Sequence, residues 1–194
     1  MQVLHYPDPI LKLECKPIST VNQELRDLIS AMFQTMYESN GVGLAANQVG
    51  YPIQLFVMNQ TGEAEKNDEE LAIINPVILR RKGKYIDQEG CLSFPKIYAE
   101  VSRAESIEVE AVLTDGSVQR FQWNGRQARI AQHEIDHLKG ISFVDRLSDD
   151  VLQEVQEELD DMRVNYAIDR RLGLVRSAEN TKKFLAEIEK KFCE

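Results

Sequence analysis

The feature that most constrains this chain is His133-Glu134-Ile135-Asp136-His137, set in a stretch from about Gly125 to Leu138 of helical character. Two histidines four residues apart on a helix lie about 40° from each other around its axis, so both imidazoles can reach one ion. Glu134 sits beside that face, where a carboxylate can bond a water on the ion rather than the ion itself. The flank of Ile130, Ala131, Ile135 and Leu138 is apolar, which speaks for a helix packed on a core and against a chance pair of surface histidines. The chain's third histidine, His5, has no such pattern around it.

A catalytic ion needs a third protein ligand and keeps a position open for water. Cys91, in Gln88-Glu89-Gly90-Cys91-Leu92-Ser93, is the best candidate, because the glycine lets backbone approach the ion closely; Cys15 and Cys193 lack such a setting. One thiolate and two neutral imidazoles suit zinc, iron(II), nickel or cobalt and argue against magnesium or calcium. Three scattered cysteines in 194 residues do not make a disulfide framework and read as reduced thiols.

The pattern along the chain groups strands between helices without regular alternation, which predicts an α+β fold with antiparallel pairing. A helix is expected over Asn22–Tyr37 and a strand over Ile53–Met58, with a solvated acidic loop over Thr61–Glu70. Leu71–Leu79 is β-prone, and its Pro76 predicts an edge strand or a bulge. Ser106–Leu113 and Val118–Trp123, joined across Asp115-Gly116, predict a hairpin. One helix is expected after Ser148, carrying Leu152, Val155, Leu159, Met162 and Tyr166 on its apolar face. A Lys/Glu-rich helix over Glu179–Phe192 is expected to be mobile or packed on another molecule, so residues 173–194 read as an extension of a catalytic domain spanning 1–172. Gly41-x-Gly43-x-x-Ala46 matches a loose dinucleotide fingerprint, but here a helix precedes it and a strand follows, the reverse of what pyrophosphate binding requires.

With 23 basic and 32 acidic side chains the net charge is −9, which disfavours salt-driven nucleic-acid binding. No apolar run approaches the roughly 20 residues needed to span a bilayer. The opening Met1–Asp8 has neither a secretory nor a transit pattern, so a cytoplasmic or mature organellar protein is expected.

Gly41-Val42-Gly43-Leu44-Ala45-Ala46-Asn47-Gln48, Glu89-Gly90-Cys91-Leu92-Ser93 and His133-Glu134-Ile135-Asp136-His137-Leu138 resemble the three motifs of peptide deformylases, in the family's order and with its separations, over about Val3–Leu147. The resemblance implies antiparallel β-sheets packed around a central metal-binding helix, with a C-terminal helix. It implies hydrolysis of the formyl group from the N-terminal formyl-methionine of new polypeptides, releasing formate. Cys91, His133 and His137 would hold one divalent metal ion, iron(II) by family precedent, with zinc or nickel taking its place in preparations. Such an ion lowers the pKa of bound water toward about 7, and Glu134 would accept and relay its proton. The Gln48 side-chain amide and the Leu92 N–H would stabilise negative charge on the formyl oxygen. Gly43 would pair with extended substrate, and Val42, Ile130 and His133 would line the methionine pocket. Glu89 is expected to orient part of the site, and Asp136 to fix a ligating histidine or cap a turn. Implied partners are N-formylmethionyl peptides and the ribosome near the nascent-chain exit, with no sequence-specific nucleic-acid contact and no membrane.

The sequence departs from relatives at Tyr98, where many carry an arginine, and at Arg126 and Gln127, where most are apolar. His-Glu-x-x-His alone would equally fit a zinc metallopeptidase; the Cys91 motif and Gln48 tell against that, and an intact Glu134 and Gln48 tell against a non-catalytic derivative.

Overall fold

The structure, a computed structural model, describes residues 1–194. Helices α1 (Gln23–Glu38), α2 (Gly125–Leu138), α3 (Asp149–Glu154), α4 (Gln156–Arg171) and α5 (Ala178–Phe192) accompany strands β1 (Gly43–Ala45), β2 (Leu55–Met58), β3 (Leu71–Lys82), β4 (Tyr85–Cys91), β5 (Phe94–Arg103), β6 (Ser106–Val112) and β7 (Val118–Asn124). Five strands form an antiparallel sheet in the order β1-β2-β3-β6-β7, and β4 and β5 form a separate antiparallel hairpin.

Side chains alternate across a strand. Leu55 and Val57 therefore join Leu25, Met32 and Met36 of α1 in one cluster, while Phe56 and Met58 join Ile130, Ile135 and Leu138 of α2 in another. Strand β2 is covered on both faces, which accounts for its unbroken apolar run. Strand β6 is covered on one face only: Ile107, Val109 and Ala111 point at α2, and Glu108 and Glu110 point away. The β4–β5 hairpin packs Phe94, Ile97, Ala99 and Val101 against Phe143, Val144, Val155 and Leu159. This is the α+β arrangement expected, with α2 between the sheet and the hairpin.

Four local expectations are revised. Strand β3 pairs on both sides and is not an edge strand; the bulge alternative holds, because the register shifts between Ile74 and Val77, around Pro76. There Asn75 adopts a left-handed backbone (φ 49°) and its side chain both accepts from Ile18 N and donates to Ile18 O at 2.8 Å. The helix expected after Ser148 is interrupted at Val155, whose side chain is buried in the hairpin cluster and whose ψ of 8° separates α3 from α4. The β4–β5 hairpin forms where the sequence pattern predicts no strands, since β4 is mostly exposed and polar. Helix α5 is neither loose nor reserved for another molecule: Ile188 and Phe192 are buried in the α1 cluster, and Phe184 and Phe192 meet the Tyr51 ring edge-on.

Candidate metal centre and active site

Helix α2 starts at Gly125, whose φ of +52° suits the absence of a side chain, and is buried from Ala128 to Leu138. His133 and His137 project from one face with ring centroids 5.0 Å apart. Cys91 stands at the end of β4, where a register shift after Gly90 turns its Sγ to 3.2 Å from His137 Nε2. The thiol sulfur and one nitrogen from each ring all lie within 4.8 Å of one another. The Nδ1–H of His133 donates to Glu89 Oε2 at 3.0 Å, which commits the other ring nitrogen to the cluster.

Glu89 is itself fixed. Arg103 donates to both of its oxygens at 2.9 Å, and Arg129 Nη1 donates to Oε1 at 2.6 Å. Burial alone pushes the Glu89 carboxyl up, but the Arg103 and His133 hydrogen bonds outweigh it and hold the group far below the usual carboxylate range. Asp136 does not orient a histidine ring; it receives Arg103 and Arg146 instead, and His137 Nδ1 is left buried without a partner.

These surroundings fit a cation. The donor set, one thiol sulfur and one nitrogen from each of two buried rings within 4.8 Å of one another, matches a soft divalent ion, and the Glu89 bond to Nδ1–H leaves the other His133 nitrogen to it. Burial and the neighbouring His133 push His137 well down, keeping its ring neutral and able to ligate.

Glu134 faces the same cavity. Burial pushes its carboxyl up to about 7 against the pull of His133 and Arg103, and its Oε2 has no hydrogen-bond partner. Gln48, on the 3₁₀ turn Ala46–Val49, has its amide direction set: Oε1 accepts from Ala45 N at 2.9 Å, while Nε2 donates to Ser93 Oγ at 3.1 Å and faces Cys91 Sγ at 3.4 Å. The Leu92 N–H, in the turn between β4 and β5, takes no part in hydrogen bonding within the chain.

A cavity of about 1090 Å³ opens over these groups, walled by Val42, Gly43, Leu92 and Ile130, with Tyr98 and Arg126 at its mouth. Strand β1 pairs only with β2, so its other edge is free beside Gly43. Tyr98 is 62% exposed and lies across Gly90, where a Cβ would stand 2.4 Å from the ring. Val42, Gly43, Gln48, Cys91, Leu92, Ile130, His133 and Glu134 line that cavity and His137 groups with Cys91 and His133, whereas Asp136 and Gln127 do not line it. Sequence reasoning missed Ser93, Arg103 and Arg129: Ser93 was inside a quoted motif without a role, and nothing local marks the two arginines, which act through Glu89 across the fold.

A soft three-ligand set with a buried carboxyl group and the Gln48 amide beside it defines a metal-dependent hydrolase on an α+β scaffold. The sequence model described as polypeptide deformylase matches residues 1–153. The chloroplastic peptide deformylase 1B of Oryza sativa subsp. japonica is 42% identical over 183 residues, 94% of this chain and 68% of that protein. The peptide deformylase of Neisseria meningitidis serogroup C is 45% identical over 148 residues, 76% of this chain and 87% of that protein. A crystal structure of Arabidopsis thaliana peptide deformylase 1B with an inhibitor superposes with a TM-score of 0.84 at 39% identity, covering 94% of this chain and 99% of that one. The chain spans 61% of the length of a full Arabidopsis relative. The chain belongs to the polypeptide deformylase family, hydrolases that remove the N-formyl group from nascent polypeptides.

Proposed function

We propose that this chain hydrolyses the formyl group from the N-terminal formyl-methionine of new polypeptides, with Cys91, His133 and His137 holding one divalent ion, natively iron(II). The observation that carries the reading is the convergence of Gln48 Nε2, 3.4 Å from Cys91 Sγ, and an unpartnered Glu134 oxygen on one cavity.

When bound, the ion supplies the Lewis acidity that makes water a nucleophile near neutral pH. Glu134 Oε2 takes the proton from the attacking water and delivers it to the departing amine as the formyl C–N bond breaks, leaving formate. A carboxyl group poised near pH 7 suits both transfers. As charge builds on the formyl oxygen, Gln48 Nε2, swinging one N–H from the Cys91 sulfur, and the Leu92 N–H donate to it. The extended substrate adds as a strand to the open edge of β1 at Gly43, and Val42 and Ile130 receive the methionine side chain. The exposed Tyr98 cannot supply a cation to the peptide beyond methionine.

The partners are N-formylmethionyl chains and the ribosome where they emerge, in a cytoplasmic or organellar compartment. No helix is long and apolar enough to cross a membrane. Residues 173–194 are taken as an extension docked on a catalytic domain of 1–172. The test is formate release from formyl-Met-Ala by anaerobically prepared protein, beside Glu134→Ala at equal metal content. Release by the parent alone supports the reading; internal peptide cleavage without formate overturns it.

A further inference from the structure

We infer that Asn47 is a positioning residue that sets Gln48 against the metal ligands, an inference that rests on the reading of Gln48 given above. Asn47 is fully buried, and its Nδ2 donates to the carbonyl oxygen of His137 at 2.7 Å. That carbonyl belongs to the last turn of α2, where it accepts a tighter three-residue bond from Gly140 N at 3.0 Å while the Ile141 amide bonds Asp136 O instead, and Asn47 occupies its second lone pair. The next carbonyl, that of Leu138, is taken by Cys15 N at 2.8 Å. The end of the ligand-bearing helix is therefore tied down by groups from elsewhere in the chain, and Asn47 supplies one of the ties.

Its neighbour reaches the opposite way. Gln48 donates to Ser93 Oγ at 3.1 Å and faces Cys91 Sγ at 3.4 Å. One 3₁₀ turn, Ala46–Val49, thus joins the two elements that carry the ligands: α2 through Asn47, and the end of β4 through Gln48. Moving that turn changes the separation between the Gln48 amide and His137, and displacements on the order of 1 Å in such groups are costly to catalysis.

Packing alone does not account for an asparagine here. Ala46 and Val49 fill the same turn with apolar side chains, whereas Asn47 Oδ1 is buried with no hydrogen-bond partner. An apolar residue would avoid that unpartnered oxygen. The carboxamide is retained for the hydrogen bond its nitrogen makes, and that bond ends on a metal-ligand residue.

The experiment compares the metal-loaded full chain with Asn47→Leu, Asn47→Ala, Gln48→Ala and the Asn47→Leu/Gln48→Ala double variant, recording kcat and KM per bound ion. Asn47→Leu keeps the volume and removes the donor; Asn47→Ala removes both, so the pair separates packing from hydrogen bonding. The expected result is a fall in kcat of about tenfold for Asn47→Leu, with KM within about twofold. The double variant should be no slower than Gln48→Ala alone, because the residues act in series. Asn47→Ser, which keeps a short donor, should recover part of the loss. The cobalt(II)-loaded Asn47→Leu protein should show a shifted visible absorption, reporting a displaced His137. Losses that multiply in the double variant, or that vanish when corrected for metal content, overturn the inference. An unchanged kcat in Asn47→Leu beside a slow Gln48→Ala overturns it and leaves the deformylase reading intact; an unimpaired Gln48→Ala overturns both.

Discussion

A β-carbon at Gly43 would stand 2.4 Å from Glu134 Oε1 and 2.9 Å from Ile130 Cγ2. The strand edge offered to the substrate and the carboxylate assigned to proton transfer are therefore in direct contact, with a glycine the only side-chain-free way to bring them together. Gly43→Ala is expected to lower kcat/KM by about 100-fold through displacement of Glu134, with a folded protein and unchanged metal content. Steady-state kinetics with a thermal melt checks this, and an Ala variant of normal activity would remove Gly43 from the site.

Gln48→Ala removes one prealigned donor and should cost about 10²–10³ in kcat. Its effect on KM should be small, because the donor is needed most when charge has formed on the oxygen. Single-turnover rates at saturating formyl-Met-Ala provide the measurement.

Arg103 and Arg146 both reach Asp136, but from different environments: the Arg103 side chain is 3% exposed and that of Arg146 is 40%. Arg103→Ala removes the one arginine that bridges Glu89 and Asp136, leaving the first to Arg129 and the second to the half-exposed Arg146, and should destabilise the fold by about 3–5 kcal/mol. Solvent screens the other pair, so Arg146→Ala should cost less than about 1 kcal/mol. Urea unfolding of both variants tests the contrast; equal losses would contradict it.

Burial pushes the Cys15 thiol up to about 12, with Glu14 and Cys193 adding to the shift. A pKa raised in the folded state means stability that is present in full below the unfolded thiol's value of 9.0 and is lost as pH rises toward 12. Unfolding free energy should fall between pH 8 and 10.5, and less steeply in Cys15→Ala. Cys15 should also resist thiol reagents at pH 8 in the native protein, which mass spectrometry after alkylation would show.

Phe192 is 2% exposed in the α1 cluster. Phe192→Ala should cost about 3–5 kcal/mol of stability. A loss under 1 kcal/mol in denaturant titration would mean that α5 is only loosely held.

The chemistry of the site was more legible in the sequence than the architecture that holds it. His133, His137 and Cys91 carry their meaning in residue type and spacing, and a buried helix face forces the rest. Arg103 carries none: its role comes from Glu89, 14 residues away on the paired strand, and from Asp136 on α2. Strand β5 does alternate from Ile97 to Arg103, but one of its inward positions is that arginine, and β4 is mostly exposed and polar, so neither reads as a strand by hydropathy. The docking of α5 is faint in the sequence for a related reason: only Ile188 and Phe192 are buried, and two residues make a weak stripe among lysines and glutamates.

The docking of α5 also orders events in time. Ser19 N donates to the Phe192 carbonyl at 2.9 Å, and Lys191 pairs with Glu24, so α1 is sealed by α5, which is synthesised well after it. Until Ile188 and Phe192 have been translated, the apolar face of α1 lacks part of its cover. A protein that edits the beginnings of other chains completes the core around its own α1 only after more than 150 further residues, through Phe192, have been made.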